Sequence, residues 1–293
     1  MSFLENSSYG LNNVWRYALT IILTWFVGSL IGSCLGIVLV PLFGLSLTVG
    51  TGYLLNIFIV FAIQLLLLFL SIRFIHKRDF FSIINMSKSN NSFLKRVRWI
   101  LILKGMLLWI LFLLILTLAN FIIIPNEIYI NPNWIMILSS IPILVIGLII
   151  QTSFEEFFFR GYFNQGLNLL FKNKIFVILV GSLVFAIPHL SNGGVDTFLS
   201  FEILIETFLM GVIFTIFALL YEGLEFSIGI HFVNNLYVFI IGPTEGTFST
   251  VPTILMNISN SLLSLLIPTI FMLLFIAILF IYKRKKISNI LLN

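Results

Sequence analysis

The stretch LLWILFLLILTL at 107–118 carries no charge, and IVFAIQLLLLFL at 59–70 interrupts the same pattern with a single amide, Gln64. Runs of this kind leave a helix apolar on every side, which suits lipid or a deep core and not a water-facing surface. The whole chain agrees. Of its 293 residues 60% are hydrophobic and only 9% charged, with 32 Phe, and the mean hydropathy is +1.14. A soluble domain clothes its surface with about 25% charged residues. This composition excludes one, and one cysteine, Cys34 inside an apolar run, excludes a disulfide framework and a Cys-rich metal site.

A helix crossing the hydrocarbon needs about 20 mostly apolar residues, because lipid offers the backbone no hydrogen-bond partners. Eight stretches qualify, roughly 17–41, 53–75, 99–124, 134–154, 174–189, 201–220, 226–242 and 261–282. The fold class expected is all-α: a polytopic membrane protein of about eight transmembrane helices, forming a single membrane domain over 1–293. The first 14 residues lack the charged start of a cleavable signal, so none is expected. Lys77, Arg78, Lys88, Lys95, Arg96 and Arg98 lie between spans 2 and 3, Lys172 and Lys174 between spans 4 and 5, and Lys283 to Lys286 after span 8. The intervening loops 42–52, 125–133, 190–200 and 243–260 hold only Glu127, Asp196 and Glu245. By the positive-inside rule both termini are cytoplasmic, in a multi-pass cell-membrane protein. The +5 net charge is then a topological signal and a contact with anionic lipid, and no nucleic-acid partner is expected.

Ionisable groups inside spans are expensive and point to function. Glu155 and Glu156 follow span 4 in IIQTSFEEFFFRGYF, His189 closes span 5 in VFAIPHL, and His231 and Asn235 lie in span 7 in IGIHFVNNLYVF. Glu156 and Arg160 are i and i+4, so they share a helix face and can pair, while Glu155 is turned about 100° away. Counted from the FKNK turn at 171–174, Glu155 and His189 stand at one height, roughly 25 Å along an antiparallel hairpin. His231 is about 10 Å beyond the EGLE turn at 222–225, which predicts a shallow site open to the cytoplasm. A carboxylate beside an imidazole can take a proton from water and return it to a leaving group. A second imidazole and a carboxamide one turn away can donate to an oxyanion. Alternatively Glu155, His189 and His231 supply the ligand set of a hydrolytic zinc site. Both routes lead to acyl hydrolysis. Other polar residues read as structural: Asn234 as helix-packing glue, Glu202 and Glu206 as a hydrated outer face, Glu222 and Glu225 as parts of a cytoplasmic turn, His76 as a surface residue, and Cys34 as a small apolar packer.

The segment Glu155-Glu156-Phe157-Phe158-Phe159-Arg160-Gly161 resembles the EExxxR(G) motif of the CPBP family, the CAAX prenyl proteases and bacteriocin-processing (Abi) enzymes. Phe185 to His189 is similar to that family's FxxxH motif, and His231 to Asn235 to its HxxxN motif, in the family's order. The resemblance implies a catalytic helical core over 134–242 and an intramembrane endopeptidase that cuts a membrane-associated peptide or lipidated protein. In it Glu155 activates water with His189, His231 and Asn235 hold the oxyanion, and Glu156 and Arg160 support them; whether Zn2+ is used is left open. One departure is Thr215, four residues after Gly211, where a second Gly is common in the family. The alternatives are a non-enzymatic immunity or regulatory partner of the same fold and, more weakly, a transporter using Glu155 and the histidines as a proton relay. Bacteriocin or pheromone precursors and self-immunity are the roles in view.

Overall fold

The computed structural model describes residues 2–86, 92–126, 128–131, 137, 140–242, 253–257 and 262–292. Lys88, Glu127, Glu245 and most of the start of the fourth expected span lie outside the described residues. Among the described residues, six helices are long and apolar enough to cross a membrane: α1 (Val14–Leu42), α2 (Gly50–Ile75), α3 (Trp99–Ile123), α4 (Ile141–Phe171), α5 (Lys174–Gly193) and α6 (Thr197–Leu220). The seventh expected span is α7 (Glu225–Ile240), which at 16 residues is shorter than the others. The eighth is α8 (Leu262–Tyr282), followed by α9 (Arg284–Leu292), the pair being sharply bent where Leu266–Tyr282 meets Arg284–Leu291 at 89°. The fold is helical as the composition requires, and the protein is a multi-pass membrane protein. One small departure is a two-stranded antiparallel clasp, β1 (Ile128–Ile130) with β2 (Leu255–Asn257), pairing Tyr129 with Met256.

Burial ranks the helices. The most apolar 18-residue stretch of α6 is 61% buried, against 17% for α3, so α6 is the axis of the bundle and α3 spends most of its surface on lipid. At the middle of α6 a polar side chain accordingly faces protein: Thr215 is buried, its hydroxyl donating to the Gly211 carbonyl at 2.9 Å and lying 3.4 Å from Asn164 Nδ2. At Gly211 a Cβ would come within 2.8 Å of Ser182, so one small residue suffices for α6 to meet α5, and Thr215 uses its room for a hydrogen bond instead. Cys34 is exposed on α1 rather than packed.

A second close approach sets the site. A Cβ on Gly229 would lie 2.1 Å from the Ile102 carbonyl oxygen, and one on Gly105 would lie 2.2 Å from that of Phe226. The two glycines thus let α3 and α7 touch backbone to backbone, which is how helices gain packing energy where lipid supplies no hydrophobic drive.

At the end of the bundle that holds the basic loops, polar residues are tied down instead of solvated. The 3-10 turn Phe3–Ser8 buries Phe3 and Leu4, and Asn6 donates to the carbonyls of Ser82 and Asn85, each at 3.1 Å. Arg78, expected as a topological charge, is buried and donates to Gln165 at 2.7 Å. Glu225, expected in an open turn, is fully buried; Asn85 donates to it and Arg98 pairs with it, Nε to Oε1 at 3.0 Å. The expectation of a surface His76 fails in the same way. Its ring is 0% exposed, with Nδ1 2.9 Å from the Leu11 carbonyl and Nε2 2.9 Å from the Tyr162 hydroxyl. A carbonyl only accepts, so Nδ1 donates and Nε2 accepts from Tyr162. The basic loop folds back into the bundle because each of these groups finds a buried partner there.

Two outcomes follow. Replacing Gly229 by Leu forces α3 and α7 apart at a cost of about 1–3 kcal/mol, read as a lower thermal unfolding midpoint in detergent. Burial, with added repulsion from Arg78 and Arg16, lowers the pKa of His76 from 6.5 to about 4. Between those values the unfolded chain binds a proton that the folded protein does not, so stability falls as pH drops through this window. In His76→Gln that part of the pH dependence disappears.

Candidate active site

Span 4 carries its polar residues on successive turns: Gln151, Glu155 and Glu156, then Arg160. The helix continues past Glu155, with π-helical turns over Glu156–Phe163, a widening often found at functional sites. It is therefore a single helix to Phe171 and not one that ends near 154. Helix α5 delivers His189 just beyond Pro188, where the backbone tightens into the 3-10 turn Ile187–Gly193. Helix α7 presents His231, Asn234 and Asn235 toward α4 and α3.

These elements bring the expected residues together. His231 Nε2 is 3.3 Å from Glu155 Oε2, and its Nδ1 is 2.9 Å from Glu156 Oε1. Arg160 Nη1 is 3.1 Å from that same Glu156 oxygen. All four are nearly excluded from solvent, at 0–3% exposure, so they are tolerable only as a set. Two carboxylates against Arg160 leave one negative charge over. One proton on His231 would cancel it, and both ring nitrogens are placed to donate to the carboxylates. Aromatic faces complete the enclosure: the Arg160 guanidinium lies 3.7 Å from the Phe185 ring centre, and Phe214 stacks on His231 at 4.8 Å.

Two features were not expected. Glu155 is bonded by His231 and by Gln151, whose Nε2 is 3.0 Å from Oε2, rather than by His189. Gln151 in turn accepts from Asn235 Nδ2 at 2.9 Å, so an amide missed in the sequence bridges two of the motifs. An amide four residues before Glu155 in an apolar span was the available signal. His189 instead places Nδ1 3.0 Å from the Phe185 carbonyl, which makes Nδ1 the donor and leaves Nε2 as the basic nitrogen. Asn234 does act in packing, accepting from Trp109 Nε1 at 3.1 Å.

A cavity of about 400 Å³ adjoins this cluster, lined at its inner end by Gln151, His189, His231 and Asn235. Its walls continue past Glu206 and Glu202 to Ile128, Gly242 and Leu255. Glu202 and Glu206, expected on a hydrated outer face, thus share a cavity with the histidines. The described lining runs to the bundle end whose loops lack Lys and Arg, opposite to the basic-end opening expected from counting residues. Helix α7 is short, and the basic end beneath it is filled by the Phe3–Ser8 turn and the Arg98–Glu225 pair.

The ligand set envisaged for zinc does not fit this arrangement. Both nitrogens of His231 are directed at carboxylates, and among the described residues no three His, Cys, Asp or Glu side chains are grouped to hold a metal ion. Stability depends on the Arg160 counter-charge. Arg160→Met strands Glu156 in an apolar site, and a loss of about 3–5 kcal/mol is expected in detergent unfolding. Arg160→Lys recovers only part of it, because an ammonium cannot reproduce the planar contact with Phe185.

Known proteins bear on this geometry. Over 178 residues the chain is 32% identical to the uncharacterized protein YyaK of Bacillus subtilis strain 168, a match covering 58% of this chain and 54% of that one. The chain thus spans about half the length of the curated relative it matches. No solved structure matches it. Residues 134–237 match the family described as Type II CAAX prenyl endopeptidase Rce1-like. That segment contains Glu155, Glu156, Arg160, His189, His231 and Asn235, so the family match spans every residue of the three motifs.

Proposed function

We propose that the protein is an intramembrane endopeptidase that hydrolyses a peptide bond of a membrane-associated peptide or lipidated protein. One observation carries this reading: a histidine with its basic nitrogen unspent and two carboxamides line one cavity together with His231, whose ring nitrogens lie against Glu155 and Glu156 just behind it. In this reading His189 Nε2 orients a water there. Its oxygen attacks the scissile carbonyl carbon while its proton passes to Glu155. Asn235 and Gln151, each with a second amide N–H, stabilise the oxyanion. As the C–N bond breaks, the proton held in the Glu155–His231–Glu156 set goes to the leaving amine. No metal is needed for any of these steps. Arg160 keeps the charge of the set balanced throughout.

With both termini cytoplasmic by the positive-inside rule, the cavity opens on the opposite side of the membrane. The reading therefore favours a substrate that reaches the site from that side, such as a lipidated precursor or an inserted leader peptide. A second reading, a non-enzymatic immunity or regulatory partner, draws support from the burial of Glu155, which is 3% exposed behind Gln151 and His231.

The two readings separate in one experiment. Purified protein in lipid nanodiscs is incubated with a panel of membrane-inserted and lipidated peptides, wild type against Glu155→Gln. The endopeptidase reading expects cleavage that falls by about 10²–10⁴-fold in the variant and is indifferent to chelator. Cleavage unchanged in Glu155→Gln removes the proton acceptor from the scheme. Binding without cleavage in either protein supports the partner reading.

A further inference from the structure

Three side-chain amides stand in a row between an indole and a carboxylate. Trp109 Nε1 donates to Asn234 Oδ1 at 3.1 Å, and Asn234 Nδ2 to Asn235 Oδ1 at 3.3 Å. Asn235 Nδ2 donates to Gln151 Oε1 at 2.9 Å, and Gln151 Nε2 to Glu155 Oε2 at 3.0 Å. Each amide could in isolation point either way, since its oxygen and nitrogen ends have the same shape. The two ends of the row remove that freedom. An indole N–H can only donate and an ionised carboxylate can only accept. Turning any one amide around would set N–H against N–H on one side and oxygen against oxygen on the other.

We infer that Trp109, Asn234, Asn235 and Gln151 form a one-way hydrogen-bonded chain ending on Glu155, with Trp109 as a positioning residue that, with Glu155 at the far end, fixes which end of each amide meets the cavity. The inference deepens the endopeptidase reading and rests on it for its catalytic consequence. In the observed direction the nitrogens of Asn235 and Gln151 each retain a second N–H, and both side chains line the cavity. In the reverse direction carbonyl oxygens would take those places and repel a developing oxyanion. The anchor is rigid: Trp109 is 0% exposed, stacks on Phe112 at 4.4 Å and meets Phe275 edge-on at 5.5 Å. It lies on α3, outside the matched residues 134–237, so the domain borrows this orientation from a helix of the N-terminal half. Cooperative polarisation along such a row makes its ends sensitive to each other.

The test has an arm independent of activity. With 15N-labelled indoles in nanodiscs, the chain gives five tryptophan signals, and that of Trp109 is assigned by its loss in Trp109→Phe. Its N–H resonance is expected to shift in Gln151→Leu, although these residues are bonded only through the two asparagines. A resonance that stays in place overturns the proposal. In the kinetic arm Trp109→Phe lowers kcat about tenfold with KM within twofold, less than the roughly 10²–10³-fold of removing an oxyanion donor outright, because the donors stay present but lose their fixed orientation. Asn234→Asp, which still accepts from the indole but cannot donate onward, gives the same loss if the tryptophan variant fails to fold. The double variant Trp109→Phe/Gln151→Leu should be no slower than Gln151→Leu alone. Effects that multiply, as for independent sites, overturn the chain. If wild type and Glu155→Gln are alike inactive on every peptide, the endopeptidase reading fails, and the indole resonance alone decides the chain.

Discussion

The balance of charge among Glu155, Glu156, Arg160 and His231 is the constraint on which the bundle is arranged. Four ionisable side chains at 0–3% exposure would each be prohibitive alone in an apolar core. Together they close into a nearly neutral set, provided the backbone holds α4 and α7 at one distance. That requirement fits the close approach of α3 and α7, with Gly229 against the Ile102 carbonyl and Gly105 against that of Phe226. It also explains the rings of Phe185 and Phe214, which enclose the guanidinium and imidazole where water would otherwise enter. Substituting an apolar set would be easier to fold, which fits the use proposed for the cluster's proton.

The path to that proton runs through one cavity, and the two ends of the bundle differ for a physical reason. At the basic end the chain buries its own polar loops: Asn6 caps carbonyls of the 82–85 turn, Arg78 bonds Gln165, and Arg98 neutralises Glu225. Each partner satisfies a group that would otherwise need water, and the end is filled. At the opposite end the cavity walls carry Asn192, Glu202 and Glu206, which keep it wettable.

The family match covers residues 134–237, yet the geometry depends on helices before it. Trp109 reaches in from α3 to Asn234, Tyr162 on α4 hydrogen-bonds to His76 at the end of α2, and Gln165 accepts from Arg78. The N-terminal half is thus a set of braces around the site as well as a lipid-facing layer. Its contributions are single polar residues dispersed among apolar runs, which leave no pattern in the sequence.

The sequence alone determined the helical, membrane-spanning class, since composition and run length admit no other solvent. It also determined the residues of the acid cluster, since charge inside such runs is too costly to keep without a use. Spacing along one helix established the Glu156–Arg160 pair, a local relation that needs no tertiary knowledge. What the tertiary structure decided were the pairings between helices: that His231 and not His189 meets Glu155, that Gln151 joins the set, and that His76 and Glu225 are buried. Those depend on how far each helix slides and rotates against its neighbours. Contacts between small residues and satisfaction of buried polar groups govern that choice, and neither leaves a periodic trace in the chain.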